Sequence, residues 1–139
     1  MLADQSLTFE AFLAREAKAG RRDLPLKKSA DRPLLHGHCH QKAFDAFGAV
    51  ETVLRLVPGL NVETIESSCC GMAGSFGYSA DTIDVSLAMG ELSLLPAVRS
   101  APADAILVAD GPSCRPPIKA GTGRAALPVA RGLEMDLRR

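Results

Sequence analysis

Ala105-Ile106-Leu107-Val108-Ala109-Asp110-Gly111-Pro112-Ser113-Cys114 is an unbroken apolar run, of the kind buried in parallel sheets, that ends abruptly in a polar turn holding a cysteine. Two earlier segments repeat the design. Leu34-Leu35-His36-Gly37 runs into His38-Cys39-His40, and Asn61-Val62-Glu63-Thr64-Ile65-Glu66, alternating and rich in β-branched residues, runs into Ser67-Ser68-Cys69-Cys70-Gly71. Helical periods separate them. Phe44, Phe47, Val50, Leu54 and Val57 mark one buried face, stopped by Pro58-Gly59, and Val85, Ala88, Leu92 and Leu95 mark another in a helix from about Asp81. A last helix is predicted over residues 126–138, with Gly132 a weak point and Gly121-Thr122-Gly123-Arg124 a turn before it.

Strand, helix, strand, helix, strand predicts parallel pairing through right-handed crossovers, because each helix is long enough to return the chain to the starting edge of the sheet. The expected fold class is α/β: a three-layer, Rossmann-like domain with a small, mainly parallel sheet and cysteine loops at the strand C-termini. Ligands of such sheets collect outside the carboxyl ends of the strands, so thiols distant in sequence should converge there. Three strands leave exposed edges, and an extra strand or a partner is expected to cover one.

Upstream, residues 8–19 read as a short helix following a cap at Ser6 and ended by Gly20. Residues 20–33, with Arg21, Arg22, Lys27 and Lys28 around Pro25, read as an exposed basic connector. This divides the chain into residues 1–32, helix and linker, and residues 33–139, the cysteine-bearing domain.

The 139 residues are 47% apolar and 23% charged, enough for one packed core and too few for a separate flavin domain. Sixteen basic residues balance sixteen acidic ones, which argues against nucleic acid and anionic membrane surfaces as partners. No apolar run approaches the roughly 20 residues that span a bilayer. The opening Met1-Leu2-Ala3-Asp4-Gln5 lacks the regions of a secretory leader, so a cytoplasmic location is expected.

Four cysteines in a chain of this composition read as free thiols or metal thiolates rather than a disulfide scaffold. Thiolates suit zinc and iron–sulfur clusters, and four of them meet the ligand count of either. A single cysteine is often a small apolar residue, but each of these sits in a turn beside Gly, Ser or His. There is no C-x-x-C, so any site must be assembled by tertiary folding. A helix starting just after Cys39, Cys70 or Cys114 would turn its positive dipole end toward sulfur. His36, His38 and His40 alternate. For His36, inside the strand, bonding to nearby backbone is expected rather than ligation. Gly71, Gly74 and Gly77 are spaced G-x-x-G-x-x-G, unlike the dinucleotide fingerprint, and read as permitting turns or close backbone approach to a cofactor. Cofactor-free thiol chemistry, with Cys69 or Cys70 as nucleophile and His38 or His40 as base, is a third reading.

His36-Gly37-His38-Cys39-His40-Gln41-Lys42, then Cys69-Cys70-Gly71-Met72-Ala73-Gly74-Ser75-Phe76-Gly77-Tyr78, then Val108-Ala109-Asp110-Gly111-Pro112-Ser113-Cys114 together resemble the cysteine-rich CCG domain of iron–sulfur oxidoreductases. The likeness is nearest to the carboxyl-terminal part of FAD-linked oxidases of the D-lactate or glycolate type, with the CCG-bearing subunit of heterodisulfide reductase more distant. The resemblance covers residues 30–130 and implies an electron-transfer module of a flavin-linked 2-hydroxy-acid oxidoreductase. Its cluster, of the 4Fe–4S kind, would be held by Cys39, Cys69, Cys70 and Cys114, with Gly71, His38 and His40 lining the cofactor. FAD would reside on a partner dehydrogenase chain, self-association is a further option, and the chain alone would not oxidise a hydroxy acid. The family pattern closes with C-x-x-C, whereas Gly111 stands at the first of those positions. The alternative is a structural or interaction domain with a zinc site or an empty cysteine site.

Overall fold

A computed structural model describes residues 2–21, 23–67 and 69–137. Arg22 of the predicted connector, Ser68 of the second cysteine turn and Arg138 at the predicted end of the last helix lie outside the described residues. Four parallel strands form one sheet in the order β2-β1-β3-β4: β1 (Leu34–His36), β2 (Glu63–Thr64), β3 (Leu107–Ala109) and β4 (Ala126–Leu127). Leu35 pairs with Val108 and with Thr64, and Val108 pairs with Leu127. The fourth strand is the extra one expected beside the three cysteine-bearing segments.

Side-chain alternation divides the core into two layers. Leu34 and Leu107 point to one face, packing with Leu94, Leu95, Val98 and Ile118 from α6 (Leu94–Ser100) and α7 (Arg115–Thr122). Leu35 and Val108 point to the other, packing with Val50, Val53 and Leu54 of α4 (Phe47–Leu54) and with Val129 and Leu133 of α8 (Val129–Met135). Helices cover both faces of a parallel sheet, the three-layer α/β arrangement expected from the sequence. A short α1 (Leu2–Gln5) precedes α2 (Phe9–Lys18), which packs on α4 through Leu13.

Several local expectations are corrected. The cap of α2 is Thr8, whose hydroxyl accepts from the Ala11 N–H, while Ser6 bonds back to the Leu2 carbonyl. The basic connector is not uniformly exposed, since Leu26 is buried and forms an isolated antiparallel bridge with Leu137. The helix predicted across Phe44 is interrupted after α3 (Cys39–Ala43), because Asp45 adopts a left-handed φ of 55°, and this leaves Phe44 exposed. The helix predicted from Asp81 splits into α5 (Ile83–Glu91) and α6, and of its expected inner face only Leu95 is buried. Ser86 and Gly90 turn inward instead. A Cβ on Gly71 would lie 2.0 Å from the Ser86 carbonyl oxygen, so the second cysteine turn approaches α5 too closely for larger residues between them. Residues 126–138 open as β4, with α8 beginning after Pro128, and the segment before them is largely the unpredicted helix α7.

Candidate metal centre

β1 and β3 are central neighbours, and the chain leaves β1 toward β2 on one side before returning to β3 on the other. Loops at such a switch point splay apart and open a crevice at the carboxyl ends of the strands. All three cysteine turns emerge there. Cys39 opens α3 and Cys114 precedes α7, whereas Cys70 is followed by the glycine turn rather than a helix, so two of the three turns enter helices directly.

The tightest grouping is one ring nitrogen of His36 with the sulfurs of Cys70 and Cys114, all within 4.8 Å of one another and all buried. His36 follows Leu34 by two residues, so the alternation of β1 sends its ring to the layer holding both cysteines. Its Nδ1 lies 2.8 Å from Ser67 Oγ, and its Nε2 is buried without a hydrogen-bond partner. This corrects the expectation for His36: its partner is a side chain on the neighbouring strand end, and its second nitrogen is uncommitted. The alternation of residues 34 and 36 is the sequence signal that places the ring there.

Cys39 and Cys69 are half-buried and lie outside this grouping. The Gly71 N–H donates to Cys69 Sγ at 3.3 Å. Gly71 itself has a φ of +88°, a left-handed conformation that glycine adopts freely and that carries the turn onward. Burial pushes the Cys69 thiol up from its ordinary range, opposed by the Gly71 N–H. The neighbouring Cys114, and then His36, hold the Cys70 thiol below its ordinary range, while Cys70 and burial hold Cys114 above it. The buried pair therefore carries one negative charge more readily than two, and a cation that neutralised it would displace the remaining proton.

The two other histidines differ. His38 caps α3, its N–H donating to Gln41 Oε1 at 3.4 Å, and its ring lies over Gly111 with Nε2 3.5 Å from Ser113 Oγ. Burial, followed by the neighbouring His40, holds its pKa down. His40 is exposed because α3 begins before it, and its ring meets that of His38 edge-on at a centroid distance of 5.2 Å. A Cβ on Gly111 would lie 2.2 Å from His38 Cδ2 and 2.7 Å from Cys114 Sγ, so the imidazole and the sulfur occupy the space beside it.

Sequence reasoning missed the residues that fix the strand ends. Lys42 Nζ donates to the Ser67 carbonyl, and Arg115 donates to the carbonyls of Ala109 and Asp110 at 3.2 and 3.1 Å. Asp110 accepts from the Val129 N–H at 2.8 Å and from Gln41 Nε2 at 3.3 Å, tying the third turn to α8 and α3. Two cations thus bind backbone carbonyls at the ends of the second and third cysteine-bearing segments.

Two buried thiols and an imidazole with one uncommitted nitrogen form a donor set suited to a soft or borderline metal. The fold and this cluster define a cysteine-rich α/β domain compatible with metal binding, and the comparisons connect it with dehydrogenases. The chain is 30% identical over 99 residues to one subunit of the anaerobic glycerol-3-phosphate dehydrogenase of Escherichia coli strain K12, a match covering 71% of this chain and 24% of that protein. It is 40% identical over 67 residues to the D-2-hydroxyglutarate dehydrogenase of the same strain, covering 47% of this chain and 6% of that protein. The corresponding enzyme of Pantoea ananatis is 38% identical over 61 residues, covering 44% of this chain and 6% of that protein. The chain thus spans about a quarter of the length of the first relative and a small fraction of the others. No protein-family model matches it, and no solved structure gives a significant match. Among the described residues no helix is long and apolar enough to cross a membrane.

Proposed function

We propose that residues 33–139 are a cysteine-rich CCG module of an iron–sulfur oxidoreductase, carrying residues 1–32 as an appended helix and linker. Cys39, Cys69, Cys70 and Cys114 hold a cluster of the 4Fe–4S kind, and Gly71, His38 and His40 line it. The module takes electrons from FAD on a partner dehydrogenase chain that oxidises a 2-hydroxy acid, and it does not oxidise that substrate alone. The observation that supports the reading is the meeting of Cys70 and Cys114, from two strand ends, with His36 at the end of a third, while Cys39 and Cys69 lie on the adjoining turns. The names of the relatives, one a dehydrogenase component and the other a hydroxy-acid dehydrogenase, support the choice of partner.

When bound, the cluster supplies one-electron storage at a potential set by burial and by hydrogen bonds to sulfur. The chain's own residues do the rest. The Gly71 N–H stabilises negative charge on Cys69, and Lys42 and Arg115 place cations at two strand ends. Burial of Cys70 and Cys114 keeps water from their sulfurs. Anaerobic purification followed by iron, sulfide and zinc assays tests the reading: iron and sulfide in equal, near-fourfold amounts are expected, and one zinc with no visible absorption overturns it.

One observation favours a second reading. The buried His36 ring, grouped with the Cys70 and Cys114 sulfurs and with its Nε2 unpartnered, suits a zinc ion held by imidazole and thiolates, which has no redox role. The same assays separate the two.

A further inference from the structure

Cys70 also forms part of the wall of a cavity of about 210 Å³ between α5 and α7. Its walls include Cys70, Met72, Leu95, Pro116 and Ala120, with Tyr78 and Leu87 exposed among the lining residues. No charged side chain lines it among the described residues. The one hydroxyl buried in its wall is already used, since Ser86 Oγ donates to the Gly71 carbonyl at 2.8 Å. Pro116 and Pro117 contribute no N–H.

These features specify an occupant. A wall without charge, whose polar groups are the Cys70 thiol, the engaged Ser86 hydroxyl and the hydroxyl of exposed Tyr78, penalises any ion that enters, because its lost hydration is not replaced. An apolar cavity of about 150 Å³ stays dry and takes benzene, so this somewhat larger one has room for a single substituted ring and not for a dinucleotide or a flavin. Met72, flexible and polarizable, is suited to the edge of an aromatic ring. We propose that this cavity is a binding site for a small, uncharged, single-ring aromatic compound, held against the Cys70 sulfur. The site stands independently of what the thiols hold.

Titrating 4-fluorotoluene into the full chain, followed by ¹⁹F NMR, tests the proposal. Tyr78 is the single tyrosine and the chain has no tryptophan, so its emission reports occupancy directly. Saturable binding to one site is expected, with a change in Tyr78 emission at the same midpoint. Charged 4-fluorobenzoate should not compete. Ala120→Leu, at an exposed helix position that lines the cavity, should weaken binding about tenfold or more, with circular dichroism unchanged. Leu87→Lys, which brings a charge to the exposed side of the cavity, provides a second variant should the first misfold. Absence of saturable binding to the wild-type chain, equal binding of the benzoate, or binding indifferent to both substitutions overturns the proposal and leaves the cavity to an apolar side chain of a partner protein.

Discussion

His36 Nδ1 and Ser67 Oγ lie 2.8 Å apart, joining the ends of β1 and the second cysteine turn through two buried side chains. The hydroxyl engages Nδ1 and leaves Nε2 as the unpartnered nitrogen of a ring grouped with the Cys70 and Cys114 sulfurs. Partners of this kind typically contribute about 10- to 100-fold to metal affinity. Ser67→Ala should therefore weaken zinc or cobalt binding by about that factor, measured by chelator competition. Unchanged affinity would remove His36 from the ligand set.

In the metal-free chain the same nitrogen is a liability. A buried polar atom without a partner costs about 1–3 kcal/mol, and metal binding offsets that cost. Replacing both members of the pair, His36→Leu with Ser67→Ala, removes the orphan and its hydroxyl together. The metal-free melting temperature should rise by roughly a few degrees, while the rise on adding metal should largely disappear. Calorimetry with and without zinc reads both; a double variant that melts lower when metal-free and keeps its metal response contradicts the argument.

Glu16 near the end of α2 accepts from Arg21 Nε and Nη2 at 2.8 and 2.9 Å, and Arg21 follows the glycine that ends the helix. Chiefly this bond lowers the Glu16 pKa from 4.5 to about 2. A folded pKa below the unfolded one means the carboxylate's contribution is complete above about 4.5 and is lost as pH falls toward 2. Glu16→Gln should therefore cost stability at pH 6 and very little near pH 2, the two unfolding curves converging on acidification. A carboxyl ¹³C titration of Glu16 with an ordinary midpoint would count against it.

The cysteine turns are legible in the sequence because their signals are local: an apolar or β-branched run, then glycine, serine or histidine around a thiol. Parallel pairing and the two covering layers follow from the alternation of strands and helices. What escapes depends on contacts between segments. The outward face of α5, with Val85 and Leu92 exposed, follows from the close approach of Gly71 to Ser86, which no helical period encodes. The break at Asp45 is a left-handed residue without glycine, and β4 is two residues long, too short for a periodic signal. For His36, its place inside a strand points to backbone bonding, whereas the face that the strand presents decides its actual neighbours.

Gly111 and His38 form a coupled pair, and their coupling gives the sharpest mutational test. A side chain at position 111 must displace the His38 ring and press on the Cys114 sulfur, with contacts of 2.2 and 2.7 Å for a bare Cβ. Overpacking of this sort costs about 1–3 kcal/mol, so Gly111→Cys alone should destabilise the fold by that amount and disturb whatever Cys114 binds. His38→Ala opens the space. In the double variant the part of the penalty due to the ring should vanish and the pressure on Cys114 should remain, giving a coupling energy of about 1 kcal/mol or more in a double-mutant cycle measured by urea unfolding. The relieved site would then present a fifth thiol beside Cys114, closing the C-x-x-C of the domain that the sequence resembles, detectable as one additional reactive thiol in the metal-free protein. Additive single-variant effects would mean that the ring is not what keeps position 111 a glycine.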